Sequence, residues 1–379
     1  MADQCRGAAA GKIAEMELES AFGEGSLKGE YPLVLGTFSE AELSEALEQA
    51  VGLLKKGGLI ALPTETVYGL AADARNAQAV KNIYQVKGRP AFNPIIVHVA
   101  SLEMAKKCVA SWPLKAEKLA RAFWPGPLSL VLKRSSLIPD VVTAGGDTVA
   151  VRWPAHPVFQ EVIQRCAFPL AAPSANRSNS VSPTTAEHVR ASLGGRIPLI
   201  LDGGPCPVGI ESTVLDLSSL GKPQILRPGM ISKEMIDAVL EDELPFPSTS
   251  LCGKQDEQPN LKSPGQLPRH YSPEASLFLV SCENEEELLR FLEQRGLKPA
   301  DVALVLIHLQ VQGQYKLKFH LPKEPKAYAQ QLYSTLHRCD AAECKAILVE
   351  PVPRTSQWEG VRDRLKRASA KAEGSQEGV

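Results

Sequence analysis

The sequence predicts an α/β protein of two bodies: a twisted, mixed sheet with helices around it, then a smaller parallel three-layer α/β domain. Three observations predict this. Short apolar runs of strand length interleave with amphipathic helical stretches from residue 39 to residue 240. Their spacing is irregular, which a mixed sheet accommodates and a regular βαβ repeat does not. From residue 245 to residue 268 the composition turns to Pro, Ser, Gln and Gly, and strand–helix alternation then resumes.

The elements follow in order. Ser39-Glu40-Ala41-Glu42 is a capping box. Leu43, Leu47, Ala50, Val51 and Leu54 repeat at helical spacing until Lys55, Lys56 and Gly57 close the helix. A strand at 59–62 ends at Pro63 and opens onto Thr64-Glu65-Thr66-Val67-Tyr68-Gly69-Leu70. Further strands are expected at 94–99, 128–132, 148–151, 170–172, 199–201, 212–217 and 224–226. Helices are expected at 77–86, 102–109, 115–123, 157–166, 184–193 and 232–240. In the second body, strands at 277–280, 302–307 and 346–349 go with helices at 283–294, 326–338 and 358–370. The expected division is a disordered leader over 1–30, a main domain over 31–243, a linker over 244–273, a small domain over 274–371 and a tail over 372–379.

Bulk properties exclude several classes. The net charge of −1 over 379 residues rules out a polycation, though not a local basic patch. No apolar run is long enough to span a bilayer. The N-terminal stretch carries Glu15, Glu17, Glu19 and Glu24, which suits neither a signal peptide nor a transit peptide, so a cytosolic protein is expected. The 8 cysteines are scattered without a C-x-x-C pair and are expected as free thiols. Cys339 and Cys344 near His337 fall on an amphipathic helix and its exit, which favours packing over metal binding.

Chemistry concentrates in two short runs. Lys87-Gly88-Arg89-Pro90 sets two cations on a turn, and Pro173-Ser174-Ala175-Asn176 sets a hydroxyl and an amide beside a stiffening proline. Cations beside small hydrogen-bond donors suit a polyphosphate. The chain has no G-x-x-x-x-G-K-[ST] loop, and Gly23, Gly25 and Gly29 lie in a polar stretch with the wrong spacing for a dinucleotide loop. Thr64, Glu65, Thr66 and Tyr68 leave a strand end, where ligands sit in open α/β sheets; the plainer reading is a turn whose threonines cap the backbone. His98 lies in an apolar strand, where a histidine is commonly structural. Trp124-Pro125-Gly126-Pro127 reads as a rigid turn. Thr148 and Arg152 share one face of a strand, and Arg152 is a fork-shaped donor for a carboxylate or phosphate, or one half of a buried ion pair. Ser182 suits a helix N-cap. No Ser/His/Asp triad, H-E-x-x-H motif or paired-carboxylate pattern is present. A site of Thr, Ser, Asn, Arg, Lys and His positions anions, which is what phosphoryl or nucleotidyl transfer requires.

The ordered series Pro63-Thr64-Glu65-Thr66-Val67-Tyr68-Gly69-Leu70, Lys87-Gly88-Arg89-Pro90, Asn93-Pro94, Trp124-Pro125-Gly126-Pro127, Val151-Arg152-Trp153-Pro154, Pro173-Ser174-Ala175-Asn176, Asp202-Gly203-Gly204, Glu211-Ser212-Thr213 and Leu226-Arg227-Pro228-Gly229 resembles the YrdC family of threonylcarbamoyl-AMP synthases. Arg269-His270-Tyr271-Ser272-Pro273 and Asp363-Arg364-Leu365-Lys366-Arg367-Ala368 extend the resemblance to the two-domain form, with a linker and a small Rossmann-like domain. The resemblance implies that L-threonine, bicarbonate and ATP give threonylcarbamoyl-AMP, pyrophosphate and water. The product would pass to a threonylcarbamoyl transferase acting on tRNA that reads codons beginning with A. It also implies a twisted sheet around a positive cavity, with Mg accompanying ATP. Carried over by motif, Thr66, His98, Arg152, Ala172 and Ser212 hold threonine. Arg89, Asn93, Thr148, Ser174, Ser182, Arg227 and Tyr271 contact ATP. Lys87 and Asn176, with Arg89 and Ser174, complete the catalytic signature and help hold phosphates. Glu65 and His98 are candidates for any general base. The usual Pro-Gly-Met-Lys-Tyr run of the linker is Pro264-Gly265-Gln266-Leu267-Pro268 here, a departure that bears on closure over the cavity. Two other readings share the positive cavity: an RNA-binding module, with weak RNA binding as its minimal form, and a carbamoyl transferase using another acceptor.

Overall fold

The computed structural model describes residues 32–219, 222–240, 261–265 and 270–373. The expected leader, most of the linker with its altered Gln266-Leu267-Pro268, and residues 374–379 of the tail lie outside the described residues.

The first body is built on a ten-stranded mixed sheet. Its strands are β1 (Leu33–Gly36), β2 (Ile60–Leu62), β3 (Gly69–Asp73), β4 (Val97–His98), β5 (Leu128–Lys133), β6 (Thr148–Arg152), β7 (Leu170–Ala171), β8 (Leu199–Asp202), β9 (Thr213–Asp216) and β10 (Gln224–Arg227). They lie in the order β1-β8-β2-β3-β7-β4-β6-β5-β9-β10. Helices α1 (Glu40–Lys55), α2 (Ala77–Lys87), α3 (Leu102–Cys108), α4 (Leu114–Phe123), α5 (Pro157–Cys166), α6 (Ala186–Leu193) and α7 (Lys233–Leu240) pack around it. The second body is a four-stranded parallel sheet of β11 (Ser276–Leu279), β12 (Val302–Leu306), β13 (Leu317–His320) and β14 (Ala346–Val349), in the order β11-β14-β12-β13. Helices α8 (Glu285–Gln294), α9 (Pro325–Ala341) and α10 (Glu359–Glu373) flank it.

Local chemistry accounts for the elements. The capping box forms as read: Ser39 Oγ accepts from the Glu42 amide, and Glu42 Oε2 accepts from the Ser39 amide at 3.0 Å. Three strands escape the sequence pattern. β3 is Gly-Leu-Ala-Ala-Asp, poor in β-branched residues, and becomes a strand by pairing antiparallel with β2 and β7. β1 and β13 are four-residue edge strands. Conversely, only Val97–His98 of the expected strand at 94–99 joins the sheet. The Ile95 amide donates instead to Val142, and the Pro94 carbonyl accepts from Arg89. The helix expected from Thr184 starts at Ala186 and is capped by Thr185, which frees Ser182 from the capping role.

Alternation along β5, β6 and β9 sorts two faces. Leu130, Leu132, Val149, Val151 and Leu215 enter the main core. On the other face Val131, Ala150 and Val214, with Ile96, form a small apolar floor. That floor lies between Thr148 and Arg152, which share its face. The second body packs one face of its sheet against the first: Val67, Val181 and Ile210 share a hydrophobic cluster with Tyr328, Tyr333 and Leu336. None of the described helices is long and apolar enough to cross a membrane.

Candidate functional site

A cavity of about 50 Å³ lies where the β2–β3 loop, the ends of β4, β6, β7 and β10, and the start of β9 meet the end of the linker. Thr64 organises its rim. Its Oγ1 donates to the Val67 carbonyl at 2.6 Å and accepts from the Thr66 and Val67 amides at 3.1 Å, so the turn-capping reading holds for this residue. Tyr68 turns away, donating to the Gly204 carbonyl at 2.8 Å, so the Asp202-Gly203-Gly204 run anchors the loop from behind.

Arg152 is the hub of the inner wall. Nε donates to the Gly126 carbonyl at 3.2 Å, one terminal nitrogen to Thr66 Oγ1 at 2.9 Å, and the other to Glu65 Oε1 at 2.6 Å. The Trp124-Pro125-Gly126-Pro127 turn thereby supplies a carbonyl that aims the guanidinium. Glu65 spends its other oxygen on the Ala155 amide at 3.0 Å. Both Glu65 oxygens are therefore engaged in holding Arg152 and the Ala155 amide. His98 lines the cavity with Nδ1 lacking a partner among the described residues. Burial, reinforced by Arg152, pushes its imidazole down to about 3, so the ring is neutral at physiological pH.

Arg89 and Arg227 face the same space. Arg89 folds its own loop, donating to Asn93 O at 2.9 Å, Asn93 Oδ1 at 2.8 Å and Pro94 O at 2.6 Å. Arg227 donates to the Ser212 carbonyl at 3.0 Å and to Ser212 Oγ at 3.1 Å, and Ser212 in turn meets Ser129 at 2.8 Å. Burial lowers both guanidinium groups, Arg89 to about 10, yet both stay charged near neutrality.

The structure therefore separates the expected residues. Thr66, Arg89, His98, Arg152, Ala172, Ser174, Arg227 and Tyr271 line the cavity. Asn93 and Ser212 stand behind it, holding Arg89 and Arg227. Ser182 also stands behind, donating to Glu211 Oε1 at 2.6 Å. Thr148 lines a neighbouring groove beside Lys133 and Lys262. Lys87 and Asn176 do not face the cavity: the buried Lys87 ammonium donates to the carbonyls of Ser174 and Asn176. Asn176 Nδ2 donates to the carbonyls of Arg177 at 2.9 Å and Ser180 at 2.8 Å. Both shape the loop that presents Ser174, and the same loop receives the linker, since the Ser272 amide donates to Asn179 O at 2.9 Å. Burial, then Arg89, holds the Lys87 amine well below its usual range.

Of the lining residues missing from the sequence-based set, two are titratable side chains. His270 faces the cavity beside Tyr271. Among the described residues Glu211 is the one lining carboxylate, and its oxygens are taken by Ser182, by Tyr333 at 3.0 Å and by Arg364 at 2.7 Å. With Glu211, and Glu65 behind the lining, both occupied, the site does not fit a magnesium ion held by side chains, because Mg²⁺ requires free oxygen ligands. No group of three or more His, Cys, Asp or Glu suited to a metal occurs among the described residues, and His337 instead stacks on His188 at 3.9 Å.

Residues 52–229 match the family profile for Sua5, YciO and YrdC, described as telomere recombination. Residues 231–370 match the profile described as threonylcarbamoyl-AMP synthase, C-terminal domain. The threonylcarbamoyl-AMP synthase of Pyrococcus abyssi is 39% identical over 328 residues, covering 84% of this chain and 93% of its own. That of Bacillus subtilis is 40% identical over 329 residues, covering 85% and 92%. The chain belongs to the threonylcarbamoyl-AMP synthase family. A solved structure from the family, P. abyssi Sua5 complexed with L-threonine, superposes with a TM-score of 0.78 at 37% identity, covering 89% of this chain and 97% of that one. The family resemblance read from the motifs and the expected α/β fold class both hold.

Proposed function

We propose that the chain is an L-threonylcarbamoyladenylate synthase, converting L-threonine, bicarbonate and ATP to threonylcarbamoyl-AMP, pyrophosphate and water. One observation carries the reading beyond family membership. Three guanidinium groups, Arg89, Arg152 and Arg227, converge on a cavity whose one lining carboxylate is already neutralised by Arg364. Such a site has positive charge in surplus and suits two anionic substrates at once. All three are buried, which disfavours the RNA-binding reading, because a phosphodiester strand needs cations it can reach.

In this reading Arg152 keeps free N–H groups for the threonine carboxylate while Thr66 and Glu65 hold its plane. Neutral His98 accepts from the substrate's amine or hydroxyl. The amine adds to bicarbonate with loss of water, giving an N-carboxylate. One carboxylate oxygen then attacks the α-phosphorus as the bond to pyrophosphate breaks. Arg89, Arg227 and Ser174 face the phosphates and neutralise the departing charge. The apolar floor of Ile96, Val131, Ala150 and Val214 leads toward Thr148 and offers a surface for adenine. Magnesium accompanying ATP would supply further charge neutralisation, with no ligand drawn from these side chains. A cavity of about 50 Å³ is far below the roughly 300–1,000 Å³ of ligand pockets, so substrate entry must widen it. The end of the linker contributes Pro264, His270 and Tyr271 to its wall.

The product would serve a transferase that modifies tRNA reading codons beginning with A, in the cytoplasm. The deciding experiment is pyrophosphate release with threonine and bicarbonate omitted in turn. Release that needs both is expected; turnover indifferent to threonine would refute the reading. A panel of other amino acids separates it from a carbamoyl transferase with another acceptor.

A further inference from the structure

The second body reaches the cavity wall with a buried arginine. Arg364, on α10, has a side chain with 0% exposure. Its Nε donates to Glu211 Oε2 at 2.7 Å, and a terminal nitrogen donates to the Pro228 carbonyl at 2.9 Å. Its guanidinium carbon lies 5.0 Å from the centroid of the Tyr271 ring. Each contact ends on the nucleotide half of the site. Glu211 accepts from Ser182, Pro228 follows Arg227, and Tyr271 lines the cavity. Tyr333 adds a second donor to the same Glu211 oxygen at 3.0 Å.

The backbone agrees. Gly229, two residues after Arg227, lies against Gly360 so closely that a Cβ on Gly360 would meet its carbonyl oxygen at 2.8 Å. Gly209, two residues before Glu211, is pressed on α9, where a Cβ would stand 2.4 Å from the Ala329 carbonyl oxygen. The second body is thus seated on the two loops that carry Glu211 and Arg227, with Arg364 at the centre of the contact.

We propose that Arg364 is a positioning residue for ATP: from the second body it fixes the carboxylate that orients Ser182, the carbonyl beside Arg227 and the ring of Tyr271. The proposal rests on the assignment of those three residues to ATP made above. It explains why the contact is a forked cation and not an apolar plug. A buried ion pair adds little to stability over well-packed hydrophobic residues, but it fixes geometry at both ends.

The test uses the full chain and reads ATP affinity by calorimetric titration beside the KM values for ATP and threonine. Arg364→Gln should weaken ATP about tenfold or more, the size of one lost charge-assisted hydrogen bond, and leave the threonine KM within about twofold. Arg364→Lys, which keeps the charge and loses the fork, should fall between. Glu285→Ala is the control for general damage to the second body. Glu285 accepts from the Gln312 and Gly313 amides and from Tyr315, which belongs to the cluster on the other face of that sheet, so its loss should lower stability without weakening ATP. Should Arg364→Gln not fold, Tyr333→Phe removes one donor to Glu211 and keeps the ion pair, and should still weaken ATP about threefold. Unchanged ATP affinity in a folded Arg364 or Tyr333 variant, an equal rise in both KM values, or the same ATP loss in Glu285→Ala would overturn the proposal. Wild-type protein that binds ATP without threonine-dependent turnover would refute the synthase reading while the affinity ratios still decide Arg364. Wild-type protein that binds no ATP would overturn both.

Discussion

Arg152 is tied to Gly126, Thr66 and Glu65 at once, so its replacement has two separable costs. Arg152→Lys should raise the threonine KM at least about tenfold, because a single ammonium cannot reproduce the fork. It should also lower stability by about 3 kcal/mol, since Glu65 is left buried without its full partner. Urea denaturation and threonine-dependent pyrophosphate release measure the two. The double variant Glu65→Gln, Arg152→Met should recover most of the stability and none of the activity; recovery of both would show the pair to be structural only. Lys87 carries a different expectation. Its ammonium satisfies two buried carbonyls, so Lys87→Ala should cost about 1–3 kcal/mol of stability and weaken ATP by displacing Ser174. Ser174→Ala should weaken ATP with little change in melting temperature. Equal melting temperatures for the two variants would contradict the assignment of Lys87 to the loop. At this scale the sequence motifs indicated which residues gather, but not which of them face the cavity. A lysine and an asparagine two residues from an arginine and a serine look equivalent as text, and only the backbone shows that their side chains turn behind the loop. Glu211 stood in a motif, yet its partners Tyr333 and Arg364 lie 122 and 153 positions further on and leave no local pattern.

Among elements, helices were the more legible class, because capping residues and apolar spacing are local. Thr185, Asn76, Asn284 and Ser101 each cap a helix with a side-chain oxygen. The strands at the site were less so, because pairing decides them. β3 exists by its neighbours, and the strand at 94–99 is cut short by Arg89 and Val142. The linker shows a third case, where a glycine sets how closely an element approaches. Gly265 has a φ of 86°, and a Cβ there would stand 2.6 Å from Arg227 Cδ and 2.8 Å from the Tyr271 hydroxyl. Gly265→Ala is therefore strained in the backbone and forces Arg227 or Tyr271 aside. It should weaken ATP while leaving the threonine KM nearly unchanged, as KM values from initial rates would show. Unaltered ATP kinetics would mean that this stretch does not help shape the nucleotide side. Tyr271 itself has a φ of 60°, a conformation costing a non-glycine residue roughly 1–2 kcal/mol. Its ring is held by Tyr333 at 6.1 Å and by Arg364, so the second body offsets that cost.

At the scale of the whole molecule the two bodies are one folding unit in physical terms, because Val67, Val181 and Ile210 of the first share a core with Tyr328 and Tyr333 of the second. A single unfolding transition is expected, and its pH dependence follows from the groups buried near the joint. Burial pushes the His98 and His270 imidazoles from 6.5 down to about 3. Between those values the unfolded chain takes up protons that the folded chain refuses, so the folded state is favoured fully above pH 6.5 and loses that advantage as pH falls toward 3. Glu211 acts lower down. Burial alone would raise its carboxyl, but Arg364 and Arg227 beside it, with the Ser182 hydrogen bond, bring it from 4.5 to about 2. Its contribution is present above pH 4.5 and fades as pH falls toward 2. From pH 7.5 to pH 5 these two histidines act, together with His188, which burial also pushes down to about 3, and with His156 and His337, which burial lowers, while Glu211 does not. Unfolding free energy from urea titration should therefore drop over that range by on the order of 1–2 kcal/mol per histidine. His98→Gln should remove its share of the slope, and below pH 4.5 the decline should steepen in wild type more than in Glu211→Gln. A stability that stays flat from pH 7.5 to pH 5 would mean that water reaches the buried imidazoles, His98 and His270 of the cavity among them.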